Sequence, residues 1–393
     1  MRVLFVTREY PPFEVGGIAR HVFYLVKYMK KLGVSCQVIS FGDSKYSSED
    51  ITFINPHSSI INKSNNPLIL DVKIPSDIVR FSRITNSLIK KKRFDIVHIE
   101  EPFVGAFIKH EKKVTTIHST SYGEIKLLLG HLKNLSNFKR LVFYFLMGLY
   151  FETMSIASSR VIIVPSSHIG KELSRVYRVP EEKVKVILNG VELPNLPRST
   201  DKIAAKQKLG ISPEKALIFT VARHVARKRL ETLVEAISLL HRDGSDDYHA
   251  VIAGDGPLRP YVKSLIERRQ LEHLIEVPGW VSQEKLGLYH QATDIFVLTS
   301  EYEAGPLSLL EAMSYGTAVV SSKIDGFPSL LHEGIDGLLF QAGDYYALSG
   351  CIRRLLDDRQ RLSRMSASAR LFAERFDWKI VAGETVDLYR SLV

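Results

Sequence analysis

Cysteine is nearly absent from this chain: Cys36 and Cys351 are the only two among 393 residues. Two cysteines cannot build a disulfide framework or a thiolate metal cage, so a reducing cytosol is the expected compartment. Long apolar runs are missing as well. The longest, residues 141–151, stops at 11, where a membrane span needs about 20. The first residues, MRVLFVTREYPP, return to charge too soon for a signal peptide and read as a strand. There is no Asp-x-Asp pair, no clustered His/Asp metal pattern and no Gly-x-Gly-x-x-Gly dinucleotide fingerprint. That argues against a carboxylate-held metal and against nicotinamide chemistry. An RNP pattern, a zinc finger and a helix-turn-helix are also missing, which disfavours a nucleic-acid binder. Neither an internal repeat nor a low-complexity tract occurs.

What is present is ordinary for a globular protein: 45% apolar and 24% charged residues. At about 100–200 residues per domain, two domains are expected. The net charge of +10 is uneven. Residues 1–195 hold 28 Lys+Arg against 17 Asp+Glu, and residues 196–393 hold 25 against 26. A basic half suits an acidic partner such as a membrane surface or a phosphorylated acceptor, although it could equally be a solvated face.

Short β-branched runs alternate with helical-period stretches. Candidate strands are 3–7, 34–41, 95–100, 114–118, 161–165 and 184–188, then 216–222, 249–253, 275–277, 295–299, 318–321 and 337–340. Many lack polar alternation, as strands buried on both faces do. Between the first two, Ile18, Val22, Leu25, Val26, Met29 and Leu32 share one helical face. The pattern predicts an α/β fold of parallel, doubly wound sheets. The Pro-rich stretch 192–200 is the candidate linker.

Three constellations could carry chemistry. Gly16 and Gly17 open the first helix after the first strand. A bare backbone at a helix N-terminus suits a phosphate, and a plain turn would use the same residues. Glu303 and Glu311 flank a helix start at Gly305-Pro306-Leu307. They are too far apart for a short acid–base pair, but they could grip different hydroxyls of an extended ligand. Arg223 and Lys228 follow the strand at 216–222. There a guanidinium fork and a mobile ammonium could meet a diphosphate, or simply be solvated.

The ordered set of motifs resembles the retaining nucleotide-sugar glycosyltransferases of the GT-B fold, family four. It runs from PPFEVGGIARHV through DIVHIEEPF, VTTIHS, VPSSHIGKEL and VKVILNGVE. It continues through VARHVARKRLETLVEAI, IAGDGPLRPYV and VPGWVSQEKLGLYHQATDIFVLTS to EYEAGPLSLLEAMSYGTAVVSS and FDWKIVAGETVDLY. The resemblance implies two Rossmann-like domains facing across a cleft. Residues 1–192, completed by the helix at 378–393, would bind the acceptor, and residues 193–377 the donor. Glu311 would hold ribose hydroxyls, Glu303 a hydroxyl of the donor sugar, and Arg223 and Lys228 the diphosphate. Gly16 and Gly17 would offer amides, His118 would sit near the transferred sugar, and Gly279-Trp280-Val281 would hold the base. Pro306 stands where relatives often have a residue with an N–H, so one backbone donor is missing. Ala222 and Arg229 stand where relatives often have glycine.

By this resemblance the protein moves a hexosyl unit from a UDP- or GDP-linked sugar to an acceptor hydroxyl, with retention and with neither metal nor cofactor. Donor binding would close the domains and exclude water. A front-face route would let the leaving phosphate oxygen deprotonate the acceptor, and no covalent nucleophile is assigned. The acceptor would be a sugar, a lipid-linked or a phosphorylated compound. Residues 133–151, basic and then apolar, could rest on an anionic membrane at the cytoplasmic face or form a buried helix. The competing readings are an epimerase, a hydrolase or a phosphorylase of the same fold, and more remotely a basic nucleic-acid binder.

Overall fold

The computed structural model describes residues 1–13, 16–57, 74–129, 138, 141–194, 199–324 and 331–393. The chain divides into two compact units. The first is Met1–Gly190 with Trp378–Val393, and the second is Val191–Asp377.

The first unit is built on β1 (Arg2–Val6), β2 (Ser35–Phe41), β3 (Ile51–Ile54), β4 (Ile96–Ile99), β5 (Lys113–Thr116), β6 (Val161–Val164) and β7 (Val184–Val186). All pair in parallel, in the order β3-β2-β1-β4-β5-β6-β7. β4, β5 and β6 are buried at every residue, and in β6 (VIIV) burial on both faces shows as an unbroken apolar run. β3 was not among the candidate strands. Its ITFI run is only four residues long, and it pairs at the sheet edge with β2 alone.

Helix Gly17–Lys31 turns Val22, Leu25, Val26 and Met29 into the core. Helix Trp378–Arg390 completes the same core with Trp378, Val381, Ala382, Val386 and Tyr389. The Trp378 ring lies stacked near Tyr24 and edge-on to His21. Gly190 makes room for it, because a Cβ there would stand 2.4 Å from the indole.

The second unit carries β8 (Ala216–Val221), β9 (Tyr248–Ala253), β10 (Ile275–Gly279), β11 (Ile295–Leu298), β12 (Ala318–Ser322) and β13 (Gly337–Phe340). They are again parallel, in the order β10-β9-β8-β11-β12-β13. The α/β expectation therefore holds as two Rossmann-like sheets.

Each sheet reverses its strand order once. The reversal falls between β1 and β4 in the first unit and between β8 and β11 in the second. In open parallel sheets ligands bind beyond the carboxyl ends of such strands, where diverging loops leave a crevice.

The 133–151 segment lies partly outside the described residues. From Leu141 onward Phe143 and Phe151 are buried, while Phe145, Leu146 and Tyr150 are exposed. Residues 141–158 are long and apolar enough to cross a membrane by composition, yet one side belongs to the core of the first unit. The segment thus divides between the two alternatives: an anchored inner side and an apolar outer side.

Candidate active site

In the second unit every residue expected to meet a donor lies at or beyond the carboxyl edge of one sheet. The basic loop follows β8, with a short helical turn at Ala226–Lys228. Its path is set by the loop after β9. His224 donates its N–H to Asp255 O at 2.9 Å and accepts the Leu258 N–H at 3.0 Å. Gly254 lies at φ +109, and a Cβ there would stand 2.0 Å from Ala222 O. The IAGDG turn is therefore packed backbone to backbone against the cationic loop. Arg229 closes the loop in the left-handed region, φ +49. Glu301 holds its guanidinium in that pose through Nε at 2.6 Å and through Nη2.

The loop after β11 is stitched to the same cations. Glu301 donates its N–H to Arg227 O at 2.8 Å, and Thr299 Oγ1 donates to Lys228 O at 2.6 Å. Lys228 Nζ bonds Glu303 Oε1, Ser300 Oγ donates to the same oxygen at 2.7 Å, and Arg227 Nη1 stands 3.5 Å from Oε2. Burial pushes the Glu303 carboxyl up, but Lys228, Arg227 and Ser300 outweigh it and hold the group below its ordinary range. Glu303 is thus an ionised acceptor, suited to hydroxyl donors. The sequence resemblance gives Glu303 and Lys228 to different parts of a donor. In the structure they are partners.

Arg223 is exposed. Pro306 caps helix Leu307–Ser314, with Gly305 just before it. Glu311 sits on that helix, its side chain 16% exposed, with Oε2 3.7 Å from His290 Nε2. It is therefore not a solvated surface residue. His290, which sequence reasoning did not single out, is buried, stacks near Tyr315 and meets Phe219 of β8 edge-on. Trp280 is 77% exposed just past β10, beside the half-buried Val281.

In the first unit the carboxyl ends of β1, β4 and β5 lead to Gly16–Gly17, Glu100 and His118. Gly16 donates its N–H to the buried Glu9 Oε2 at 2.9 Å, so a carboxylate already occupies the helix start proposed for a phosphate. His118 lies two residues past β5, which ends earlier than the sequence suggests. Its Nε2 is 3.2 Å from Glu100 Oε2, and His21 Nε2 is 3.7 Å from the same oxygen. Burial holds His21 neutral, pushed down to about 3, and lowers His98 too. The sequence shows no metal-type cluster. The fold makes one, because His21, Glu100 and His118 come from three separate elements.

Glu100 and His118 line a pocket of about 860 Å³, its open mouth included, with Arg8, Phe103, Ser121 and Glu152. Glu152 Oε2 accepts the Ser121 N–H at 2.8 Å and the Tyr177 hydroxyl at 2.5 Å. Burial is the larger influence and pushes its carboxyl up to about 7. Between about 4.5 and 7 the folded protein keeps a proton that the unfolded chain has lost, so this group's stabilisation fades as pH rises. Glu152→Gln keeps the acceptor oxygen and has no proton to lose. Urea unfolding at pH 5 and pH 8 should show wild type losing about 2.5 kcal/mol relative to the variant. Parallel pH profiles would contradict the assignment.

Comparison with known proteins places these units. The family described as Glycosyltransferase Family 4 matches residues 15–194, and that described as Glycosyl transferases group 1 matches residues 201–372. An uncharacterised glycosyltransferase of Methanocaldococcus jannaschii is 26% identical over 99% of this chain and 98% of its own length. Alpha-monoglucosyldiacylglycerol synthase of Acholeplasma laidlawii is 24% identical over 100% and 98%. The crystal structure of HepE from Anabaena in complex with UDP and glucose superposes with a TM-score of 0.74 at 19% identity, covering all of both chains.

Proposed function

Since this chain belongs to the group 1 glycosyltransferases of the GT-B fold, we propose that it transfers a hexosyl unit from a nucleoside diphosphate sugar to an acceptor hydroxyl, with retention and without a metal. One observation carries the reading. Arg223, Lys228, Glu303 and Glu311 all follow the adjacent strands β8 and β11, at the point where strand order reverses. A nucleoside diphosphate leaves as a concentrated negative charge, and stabilising it is the main electrostatic task. Arg223 and Lys228 supply fixed positive charge, and the start of helix Leu307–Ser314 adds backbone dipole. Glu303 and Glu311 accept from sugar and ribose hydroxyls.

UDP is the favoured carrier, because the similar Anabaena protein was crystallised with UDP and glucose. The acceptor is placed in the pocket of the first unit, next to His118. Its wall joins carboxylates and hydroxyls to Ile74, Ile78 and Phe143, which suits an amphiphile with a polyhydroxyl head. The exposed Phe145, Leu146 and Tyr150 and the surplus of Lys and Arg in residues 1–195 favour a lipid-linked acceptor at an anionic surface. The Acholeplasma relative is named for a lipid product. Leaving-group phosphate takes the acceptor proton, since Glu303 is already committed to Lys228 and Ser300.

The test is product analysis by NMR. UDP- and GDP-hexoses are incubated with diacylglycerol-type, sugar phosphate and free sugar acceptors, with chelator present. A glycosylated product with the donor's anomeric configuration is expected. An inverted product, or donor consumed equally without acceptor, would contradict transfer with retention.

A further inference from the structure

We propose that His21, Glu100 and His118 form a binding site for a divalent transition-metal ion of the zinc type, open to the pocket on its fourth side. The three ligand atoms, His21 Nε2, Glu100 Oε2 and His118 Nε2, lie within 4.8 Å of one another. Two of the separations are 3.2 and 3.7 Å. Zinc holds such ligands at about 2.0–2.2 Å, which puts tetrahedral neighbours about 3.3–3.5 Å apart. The two separations to Glu100 Oε2 are within a few tenths of an ångström of that spacing.

Two imidazoles and one carboxylate are the donor set of an open zinc site, and imidazole favours zinc, copper or nickel over magnesium. His21 and Glu100 are buried, whereas the His118 side chain is 14% exposed, which leaves an approach from the pocket. Glu100 Oε1 accepts no hydrogen bond, and among the described residues no lysine or arginine pairs with this carboxylate. His98 Nδ1 stands 3.4 Å from Oε1 and is already joined to the Tyr389 hydroxyl. His98 Nε2 is taken by Thr116, so His98 is not a fourth ligand.

Trp378 packs edge-on against the His21 ring. All three ligands belong to the first unit, whereas Arg223, Lys228, Glu303 and Glu311 belong to the second. Zinc binding does not depend on the donor assignment. Should transfer fail in every assay, the site stands; should the site fail, the donor residues are untouched.

The test is calorimetric titration of the full chain with zinc chloride. A second group, His241, Asp246 and His273, lies more exposed in the other unit and could bind zinc too. The titration therefore uses the His241→Ala/His273→Ala variant as background. One equivalent of zinc should bind there. Glu100→Gln and, separately, His118→Asn should each weaken it at least about tenfold, the loss that even an outer-shell change produces. Cobalt added in place of zinc should give the visible spectrum of a four-coordinate ion. Thermal melting shows that each variant is folded. No binding in the background protein, or affinity unchanged in both folded ligand variants, would overturn the site.

Discussion

An Arg223→Ala enzyme should lose about 10²–10³-fold in kcat, the usual cost of removing one preorganised group that meets developing charge. Arg223 is a clean probe because it is exposed on a loop held mainly by backbone. His224, Asp255 and Leu258 keep the loop in place whatever side chain stands at 223. Thermal stability should therefore stay near wild type while turnover falls. Arg223→Lys should recover only part of the loss, since an ammonium supplies a point charge without a fork. Lys228 is a poorer probe. Its removal leaves the buried Glu303 with Arg227 at 3.5 Å and Ser300 as partners, and breaking a buried pair destabilises the fold itself. Steady-state rates beside melting curves check the prediction. Full turnover by Arg223→Ala would remove this residue from the diphosphate site.

Glu311→Ala should weaken nucleoside diphosphate binding about 10–150-fold. That range is the loss of one charge-assisted hydrogen bond of about 1.5–3 kcal/mol. The carboxylate is set for this role by helix Leu307–Ser314 on one side and by the buried His290 ring 3.7 Å away on the other. The sharper readout is sugar discrimination. Wild type should prefer a ribonucleotide over its 2′,3′-dideoxy analogue, and Glu311→Ala should bind the two alike. If the variant keeps the preference, the ribose hydroxyls are read elsewhere.

Much of this molecule was legible before any coordinates. Strands such as Ile162–Val164 and Phe296–Leu298 stand out as apolar runs because parallel strands are buried on both faces. The glycine-rich and cationic turns stand out because few residue types meet their backbone demands. Strand Ile51–Ile54 escaped, being short and at an edge. Pairings between strands that are neighbours in space but not in sequence also escaped. The bond between Lys228 and Glu303 spans 75 residues and exists because β8 lies beside β11. The His21–Glu100–His118 cluster likewise needs β4 beside β5 and the first helix above both. Single histidines and glutamates carry no local signal of such meetings. Arg229 illustrates the converse: it stands in the left-handed region that favours glycine, and Glu301 holds its guanidinium there.

The account rests on the second unit holding a nucleoside diphosphate at the ends of β8 and β11. The most direct measurement is calorimetric titration of UDP, GDP and ADP, with the matching monophosphates, into wild type and Arg223→Ala, with chelator present. At least one diphosphate should bind wild type about tenfold or more tightly than its monophosphate, and the Arg223→Ala substitution should erase most of that difference. Equal affinity for mono- and diphosphates, or a diphosphate preference untouched by Arg223→Ala, would contradict it.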